Sequence, residues 1–399
     1  MNSIRKKLEV IYHKIVAIFF TFLGKLPKKN MYFFESFHGK QFSDNPRAIY
    51  EYIQGNHPEI KCVWSVKKGF ESNFDDHQVP YVIRMSFSWL FTMPRAKYWV
   101  CNTRLPEWMK KDKTTIYIQT WHGTPLKKLG CDIDDVVMPG TTTEKYKRNI
   151  FKESKRWDYL ISPNRYSSII FRSAFKYEGE ILEIGYPRND LLINQKNKNQ
   201  QDILKHLGIP EGSDVILYAP TWRDTEFYTK GKYKYINYFP FDQMIKRNPN
   251  AIIILRVHYL IGTNFDSSRY GDRVIDCSDY SDIRDLYLVA SILITDYSSV
   301  MFDFAHTGKP MIYYLYDFEE YSNTIRGLYF DPNDVLPGPI VRTQDELLSE
   351  VEYILLGKVD EEGTGYCEKY KQFEQKFCLK NTKSSSEQFF DYIEGKRNV

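Results

Sequence analysis

Short apolar runs recur along the chain, separated by longer stretches in which polar and charged residues dominate. Most of the runs are continuous and rich in β-branched and aromatic residues, which is typical of parallel strands covered on both faces. Strands that alternate with helical stretches indicate βαβ units and therefore an α/β protein. The pattern predicts twelve strands: Met31–Glu35, Lys61–Val66, Tyr81–Arg84, Tyr98–Asn102, Thr115–Gln119, Tyr159–Ser162, Ile181–Ile184, Val215–Ala219, Ala251–Arg256, Val274–Asp276, Ile292–Thr295 and Met311–Tyr314.

A polar stretch interrupts this series between the seventh and the eighth predicted strand. Residues 194–201 contain only Asn, Gln and Lys, a composition that favours a linker or an exposed loop. A chain of 399 residues with 42% hydrophobic residues is expected to form two globular domains. We therefore predict a first domain over residues 31–195 and a second over residues 196–399.

The segment 1–30 differs from the rest of the chain. Lysines and an arginine flank the apolar run Ile15–Leu23, which is too short to span a bilayer comfortably. No small-residue cleavage site follows the run, so we do not expect a signal peptide. The pattern predicts a basic amphipathic helix that lies on an anionic membrane surface. The alternative is a terminal helix packed on the first domain.

Charge and cysteine content narrow the range of partners. The formal net charge of +4 does not by itself indicate nucleic acid binding, and we expect none. The six cysteines show no paired metal-binding spacing, so we expect reduced thiols. A local basic patch could still meet an anionic substrate.

Two histidines follow predicted strands in different halves of the chain. His122 comes after Thr115–Gln119, and His258 comes after Ala251–Arg256. Ligands of open α/β sheets bind outside the carboxyl ends of the strands. A histidine there can accept a proton near neutral pH or bind a phosphate. The two histidines predict one cleft that both halves build.

The strand Ile292–Thr295 runs into a turn that carries two hydroxyl groups. Ser298 and Ser299 suit the start of a helix, where free N–H groups bind anions. Gly308 is expected to end that helix. Asp303 lies one turn beyond the serines, and we expect it to contact a ligand hydroxyl or to be solvated.

Other strand ends carry further polar candidates. Thr221 can donate a hydrogen bond, and both Arg223 and Arg188 could bind a phosphate. Asp132 and Asp134 form an Asp-x-Asp pair that could hold a divalent metal, although such spacing is common by chance. The chain contains no Walker lysine loop, no Gly-x-Gly-x-x-Gly and no Gly-x-Ser-x-Gly.

Several segments in fixed order resemble the CDP-glycerol glycerophosphotransferase family of wall teichoic acid synthesis. The similarity extends over roughly residues 31–380. The segments are FESFHGKQFSDNP (34–46), QTWHGTPLKKLG (119–130), GYPRND (185–190), YAPTWRD (218–224), RVHY (256–259), DYSDIRDLYL (279–288), TDYSSVMFDF (295–304) and LPGPIV (336–341).

The resemblance implies a GT-B fold, in which two Rossmann-like domains face each other across a cleft. It implies transfer of a polyol phosphate from CDP-glycerol or CDP-ribitol to a hydroxyl of an undecaprenyl-diphosphate-linked acceptor, with release of CMP. It also implies a peripheral protein on the cytoplasmic face of the cell membrane. No cofactor is required by it, and a divalent metal is left open.

The family motifs assign roles to individual residues. The resemblance implies that His122 is the catalytic base and that His258 lies near the diphosphate. The remaining positions expected to bind the CDP-polyol are Trp121, Gly123, Thr124, Pro125, Arg188, Pro220, Thr221, Arg223, Arg256, Ser298, Ser299 and Asp303.

Two other functions remain open from the sequence. One is a GT-B glycosyltransferase that uses a nucleotide sugar, and the other is a catalytically silent membrane-bound scaffold. The sequence does not separate glycerol from ribitol, or a single addition from polymerisation.

Overall fold

Two parallel sheets form the framework of the protein. The computed structural model describes residues 14–136, 140–194, 200–221, 227–229, 232–233, 238–257, 265–320, 327–358, 365–379 and 381–396. The strands are β1 Lys29–Glu35, β2 Lys61–Val66, β3 Tyr81–Ile83, β4 Ala96–Cys101, β5 Ile116–Gln119, β6 Tyr159–Ser162, β7 Glu180–Glu183, β8 Asp214–Ala219, β9 Phe227–Thr229, β10 Lys232–Tyr233, β11 Ala251–Leu255, β12 Val274–Asp276, β13 Ile292–Thr295, β14 Met311–Tyr314 and β15 Ile340–Val341.

All twelve predicted strands are confirmed, with ends shifted by no more than two residues. Three short strands were not predicted. β9 and β10 pair as an antiparallel hairpin, and β15 pairs in parallel with β14. A strand of two or three residues is too short to produce a readable hydrophobic period.

Helices connect the strands and cover the sheets. The first helix, α1, spans residues 14–24. The others are α2 Asp44–Asn56, α3 Ser72–Asp75, α4 Phe87–Thr92, α5 Thr143–Ser154, α6 Arg165–Ala174, α7 Asp190–Ile193, α8 Gln200–Leu207, α9 Phe241–Arg247, α10 Ile283–Val289, α11 Val300–Phe304, α12 Phe318–Glu320, α13 Pro332–Val335, α14 Gln344–Leu355, α15 Tyr366–Phe377 and α16 Ser385–Gly395.

Each sheet has the strand order of a doubly wound fold. The first runs β3-β2-β1-β4-β5-β6-β7, and the second runs β12-β11-β8-β13-β14-β15. The chain reverses its direction of winding between β1 and β4 in the first sheet, and between β8 and β13 in the second. Apolar clusters lie on both faces of each sheet, which explains the continuous apolar runs. In such sheets ligands bind at the reversal points, beyond the carboxyl ends of the strands.

The last helix returns to the first domain. Phe389, Phe390 and Ile393 of α16 belong to the apolar cluster that covers one face of the first sheet. Ser384 caps this helix by accepting a hydrogen bond from the backbone of Glu387. The range 196–399 predicted for the second domain therefore contains a helix that packs on the first.

Helix α1 has two apolar faces. Val16, Phe20 and Leu23 are buried, and the Phe20 ring lies within 6 Å of the rings of Trp89, Trp99 and Trp108. Ile15, Ile18 and Phe22 point outward and are 61–71% exposed. One face thus packs on the domain, as the alternative interpretation holds, and a second apolar face is left uncovered. Among the described helices none is both long and apolar enough to cross a bilayer.

Candidate functional site

The segment after β5 holds His122 in a fixed orientation. The His122 Nδ1 atom lies 2.7 Å from the carbonyl oxygen of Asn102, which follows β4. Its ring stacks on Trp121 with centroids 4.5 Å apart. A carbonyl accepts only, so Nδ1 must carry the hydrogen, and Nε2 keeps the lone pair. His122 can therefore accept a proton at Nε2.

The backbone around His122 adopts an uncommon conformation. Trp121 has a φ of 51°, and the Asn45 side-chain amide donates to the carbonyls of Thr120 and Trp121 at 3.3 and 3.2 Å. Phe37 and Asp44, which also border the cleft, have φ angles of 46° and 66°. Positive φ in residues other than glycine costs free energy and is concentrated at functional sites, where surrounding contacts hold it in place.

Burial favours the neutral form of His122. Desolvation is the largest influence and lowers the pKa of His122 below its ordinary value of 6.5. The Asn102 carbonyl and the Asp44 carboxylate oppose this shift, whereas the positive charges of Arg188 and Arg104 add to it. A neutral imidazole near pH 7 is the form that a general base needs.

The two domains approach each other closely where the loop after β5 meets the start of α11. A side-chain carbon at Gly123 would lie 3.0 Å from Ser299 Oγ, so only glycine fits without displacing the serine. The Ser298 hydroxyl lies 3.5 Å from the backbone nitrogen of Val300. The helix that follows ends at Gly308, which has a φ of 70°, as predicted.

Thr221 is oriented by a carboxylate of the same domain. Its backbone N–H and its hydroxyl both donate to Oδ1 of the buried Asp296, at 2.8 and 2.6 Å. This pair joins the ends of β8 and β13 at the reversal point of the second sheet. Thr221 therefore lies beside the cleft with its hydroxyl hydrogen directed at Asp296.

Arg188 and Asp303 form an ion pair rather than acting separately. The Arg188 guanidinium lies 2.9 Å from Asp44 and 2.8 Å from Asp303, and all three side chains are buried. Asn189 also donates to Asp303, at 2.9 Å. Because Asp303 is buried, the alternative that it is solvated is wrong, and its contact with a ligand hydroxyl stays a prediction. Arg188 already has two carboxylate partners. Because Asp303 belongs to the second domain, this ion pair links the domains.

A second group of charges links the domains near α10. Asp282 lies 3.3 Å from Arg47 of the first domain and 2.6 Å from Arg284. Arg256 also lies in this region, and its guanidinium donates to the carbonyls of Cys277 and Ser278. Arg256 is thus held in place by backbone oxygens rather than by a carboxylate among the described residues.

Most predicted site residues line one interdomain cleft. A cavity of about 270 Å³ is bordered by residues of both domains, and a neighbouring cavity of about 280 Å³ continues it along the loop after β5. His258 and Arg223 lie outside the described residues. The predicted residues that border these two cavities are Trp121, His122, Gly123, Thr124, Pro125, Arg188, Pro220, Thr221, Arg256, Ser298, Ser299 and Asp303.

The Asp-x-Asp pair has other partners. Asp132 accepts hydrogen bonds from Ser173 and Tyr329, and Asp134 pairs with Lys128 at 2.8 Å. Within the described ranges, no group of three or more His, Cys, Asp or Glu residues has a metal-binding arrangement.

Several residues of the cleft were missed by sequence reasoning. Asn102 positions His122, Asn45 supports the loop after β5, Asp44 pairs with Arg188, and Asp296 orients Thr221. Asp44 and Asn45 lie within the segment 34–46, which the resemblance includes but to which it assigned no role. Asn102 acts through its backbone carbonyl, and side-chain type carries no signal of that.

Comparisons with known proteins agree with this arrangement. The chain is 48% identical over 357 residues to the teichoic acid poly(glycerol phosphate) polymerase of Bacillus subtilis (strain 168). The matched region covers 89% of this chain and 48% of that protein. It is 47% identical over 381 residues to the teichoic acid glycerol-phosphate transferase of Staphylococcus aureus (strain NCTC 8325 / PS 47), covering 94% and 95%. The chain thus spans about half of the first relative and nearly all of the second.

A solved structure confirms the predicted GT-B-like fold. The wall teichoic acid polymerase TagF, in a variant soaked with CDPG, superposes with a TM-score of 0.87 at 39% identity, covering 99% of this chain and 98% of that one. Residues 17–395 match the family described as CDP-glycerol:poly(glycerophosphate) glycerophosphotransferase. The chain therefore belongs to this family of transferases.

Proposed function

We propose that the protein transfers glycerol phosphate from CDP-glycerol to a hydroxyl of a lipid-linked teichoic acid acceptor. The observation that carries this proposal is the geometry of His122, whose Nδ1 is committed to Asn102 while Nε2 is left to accept a proton. Glycerol is favoured over ribitol because both relatives described above carry glycerol phosphate in their names.

The proposed reaction is a displacement at the distal phosphorus of the donor. His122 Nε2 takes the proton of the acceptor hydroxyl, and the hydroxyl oxygen forms a bond to the β-phosphorus. The bond between that phosphorus and the oxygen bridging to the cytidylyl phosphate breaks. CMP leaves with the electron pair, and the glycerol phosphate remains on the acceptor.

The cleft supplies charge and hydrogen-bond donors for the diphosphate. Arg256 borders the cleft beside Ser298 and Ser299, and His258 is expected near the same position. Preorganised donors of this kind stabilise the charge that develops on the leaving phosphate. Arg188 contributes differently, because its two carboxylate partners make it a link between the domains.

Donor specificity tests the proposal directly. The protein should release CMP, not CDP, from CDP-glycerol in step with growth of a lipid-linked acceptor, and product mass should rise by one glycerol phosphate per CMP. CDP-ribitol and UDP-sugars serve as competing donors. Turnover with UDP-sugars alone would favour the glycosyltransferase alternative, and absence of turnover with every donor would favour the scaffold.

The base is tested by substitution. His122→Ala should lower the rate by about two to four powers of ten, because general-base catalysis contributes roughly that factor. Donor affinity should change far less. His206→Ala is a matched control, because His206 is exposed on α8 and does not border the cleft. Near-normal turnover of His122→Ala would contradict the assignment.

We further propose that the outer face of α1 binds an anionic membrane surface on the cytoplasmic side. Ile15, Ile18 and Phe22 are exposed on α1, Phe87 and Phe91 are exposed on α4, and the contact between the Phe19 and Phe91 rings, 5.6 Å apart, brings the two helices together. Basic residues, including Lys14, Lys25 and Lys29, flank α1 and are exposed. An apolar face bordered by lysines suits the interface of an anionic bilayer.

Point substitutions test this proposal better than a deletion, because Phe20 of the same helix belongs to the core. Ile18→Glu should reduce co-sedimentation with vesicles that contain anionic lipid. Leu356→Glu is the matched control, since Leu356 is 69% exposed against 71% for Ile18 but lies in the second domain. Equal vesicle binding by the two variants would reject the membrane-binding face.

A further inference from the structure

A further cavity lies in the first domain, next to His122. It has a volume of about 590 Å³, and the described residues that line it all fall between His38 and Arg156. Trp121 and His122 border both this cavity and the interdomain cleft. We refer to it as the inner cavity.

The position of the inner cavity suits the acceptor rather than the donor. The base has to touch the hydroxyl of the acceptor, and the donor is proposed to occupy the interdomain cleft. In an in-line displacement the attacking oxygen approaches from the side opposite to the leaving group. The inner cavity is reached from His122 without crossing the interdomain cleft, so it offers the acceptor a separate route to the base.

Arg104 is an arginine of the inner cavity without a counter-charge. It follows β4 and is half-buried, and no carboxylate or carbonyl among the described residues forms an ion pair or hydrogen bond with it. Its guanidinium lies 5.6 Å from the ring centroid of Tyr146 on α5. A half-buried guanidinium without a carboxylate or carbonyl partner keeps its N–H donors available to an anionic ligand.

Arg156 in the same cavity shows the opposite situation. Its guanidinium donates to the carbonyls of Leu105, Pro106 and Met109 and pairs with the buried Glu153. These partners use its hydrogen-bonding capacity for the architecture of the loop. The contrast separates Arg104 from a residue that merely supports the fold.

Two further features of the inner cavity favour an anion. The Thr103 hydroxyl is buried and has no hydrogen-bond partner, which is uncommon for a buried polar group. Along α5, the cations Lys145, Arg148 and Lys152 recur at a spacing of three and four residues and therefore share one side of the helix. Lys152 borders the cavity, and its one ion pair with a described residue is with the exposed Glu107, at 2.8 Å.

We propose that the inner cavity is a subsite for the phosphodiester of the acceptor, with Arg104 as its principal ligand and the basic side of α5 as its extension. This inference rests on the proposed function, because it takes the acceptor to be a polyol phosphate chain. Arg104 binds the phosphate next to the terminal polyol, and the free hydroxyl of that polyol then meets His122. Arginine suits the role because its planar fork binds phosphate oxygens in pairs.

Paired acceptors test the subsite. One acceptor ends in glycerol phosphate, and the other is the same lipid-linked saccharide without that phosphate. Arg104→Gln should raise KM for the first acceptor at least about tenfold, because a charge-assisted contact is lost. KM for CDP-glycerol and KM for the second acceptor, measured on the pH plateau above the pKa of His122, should change far less, and Arg104→Lys should recover part of the loss. Arg269→Gln, an exposed residue of the second domain, is the matched control.

A binding measurement separates this inference from the proposed function. A short glycerol phosphate oligomer is titrated without donor into the wild type and into Arg104→Gln. Weaker binding to the variant supports the subsite even if another donor proves to be used. Equal binding, or an equal rise in KM for both acceptors, would overturn the inference while leaving the transfer reaction standing.

Discussion

The interdomain cleft and the inner cavity meet at His122 but differ in how their arginines are compensated. In the cleft, Arg188 lies between Asp44 of the first domain and Asp303 of the second, and Arg284 pairs with Asp282 of its own domain and lies 3.6 Å from Glu51 of the first. In the inner cavity, Arg104 has no such partner within the described part of the chain. The paired arginines serve to hold the domains together, whereas the unpaired one is available to a ligand. The charge of an arginine therefore does not by itself identify it as a binding residue. Whether a carboxylate of the protein already pairs with it distinguishes the two roles.

The largest expected effect comes from removing Arg188, the arginine that pairs with two carboxylates. Arg188→Met leaves Asp44 and Asp303 buried without a counter-charge, and removing one partner of a buried ion pair costs about 3–5 kcal/mol. We expect a loss of that size in the free energy of unfolding, measured by chemical denaturation. Arg269→Met should cost less than about 1 kcal/mol, because the Arg269–Asp242 pair is exposed. Similar losses in both variants would mean that the interdomain pair does not stabilise the fold.

A smaller effect is expected on the pH dependence of activity. His122 accepts a proton only when neutral, so activity is present above its pKa and is lost as the pH falls through it. Since burial lowers that pKa, the acid limb of kcat/KM should have its midpoint below 6.5. Arg104→Gln removes one of the positive charges that lower the pKa, so its midpoint should move upward, by less than about one pH unit. A midpoint above 6.5 in the wild type would contradict the role of His122.

The smallest expected effect is on the free energy of unfolding when Arg104, the arginine without an ion-pair partner among the described residues, is replaced. Arg104→Met removes no ion pair between described residues, so the free energy of unfolding should stay within about 0.5 kcal/mol of the wild type. The same denaturation series as for Arg188→Met provides the measurement. A loss comparable to that of Arg188→Met would show that Arg104 supports the fold and is not held ready for a ligand.

The sequence was sufficient for the framework because the framework depends on local patterns. Continuous apolar runs such as Ala251–Leu255 identify buried parallel strands, and the twelve strands predicted from such runs are all present. The positions of Ser298 and Ser299 beside the cleft could be predicted as well, since strand ends of parallel sheets meet at one edge. The same rule applied to the end of β4 points to Thr103 and Arg104, which had been overlooked.

The partners of the site residues could not be predicted, because they are distant in sequence. Arg188 is 144 residues from Asp44 and 115 residues from Asp303, and no spacing rule connects them. The contact of His122 with Asn102 depends on the register of β4 and β5 and involves a backbone atom. Both α1 faces are apolar, so hydrophobicity alone could not tell which of them packs on the domain.

The return of α16 to the first domain changes how the chain can be divided. The hydroxyl of Tyr32 in β1 donates to Glu394 at 2.7 Å, and the backbone of Ser385 donates to Asp190. Residues 200–379 are thus an insertion between two parts of the first domain. Two segments of the chain connect this insertion to the first domain. A chimera that exchanges the second domain with a relative has to replace this insertion and keep the host's last helix, because a simple C-terminal swap would join an α16 to a surface it did not evolve against.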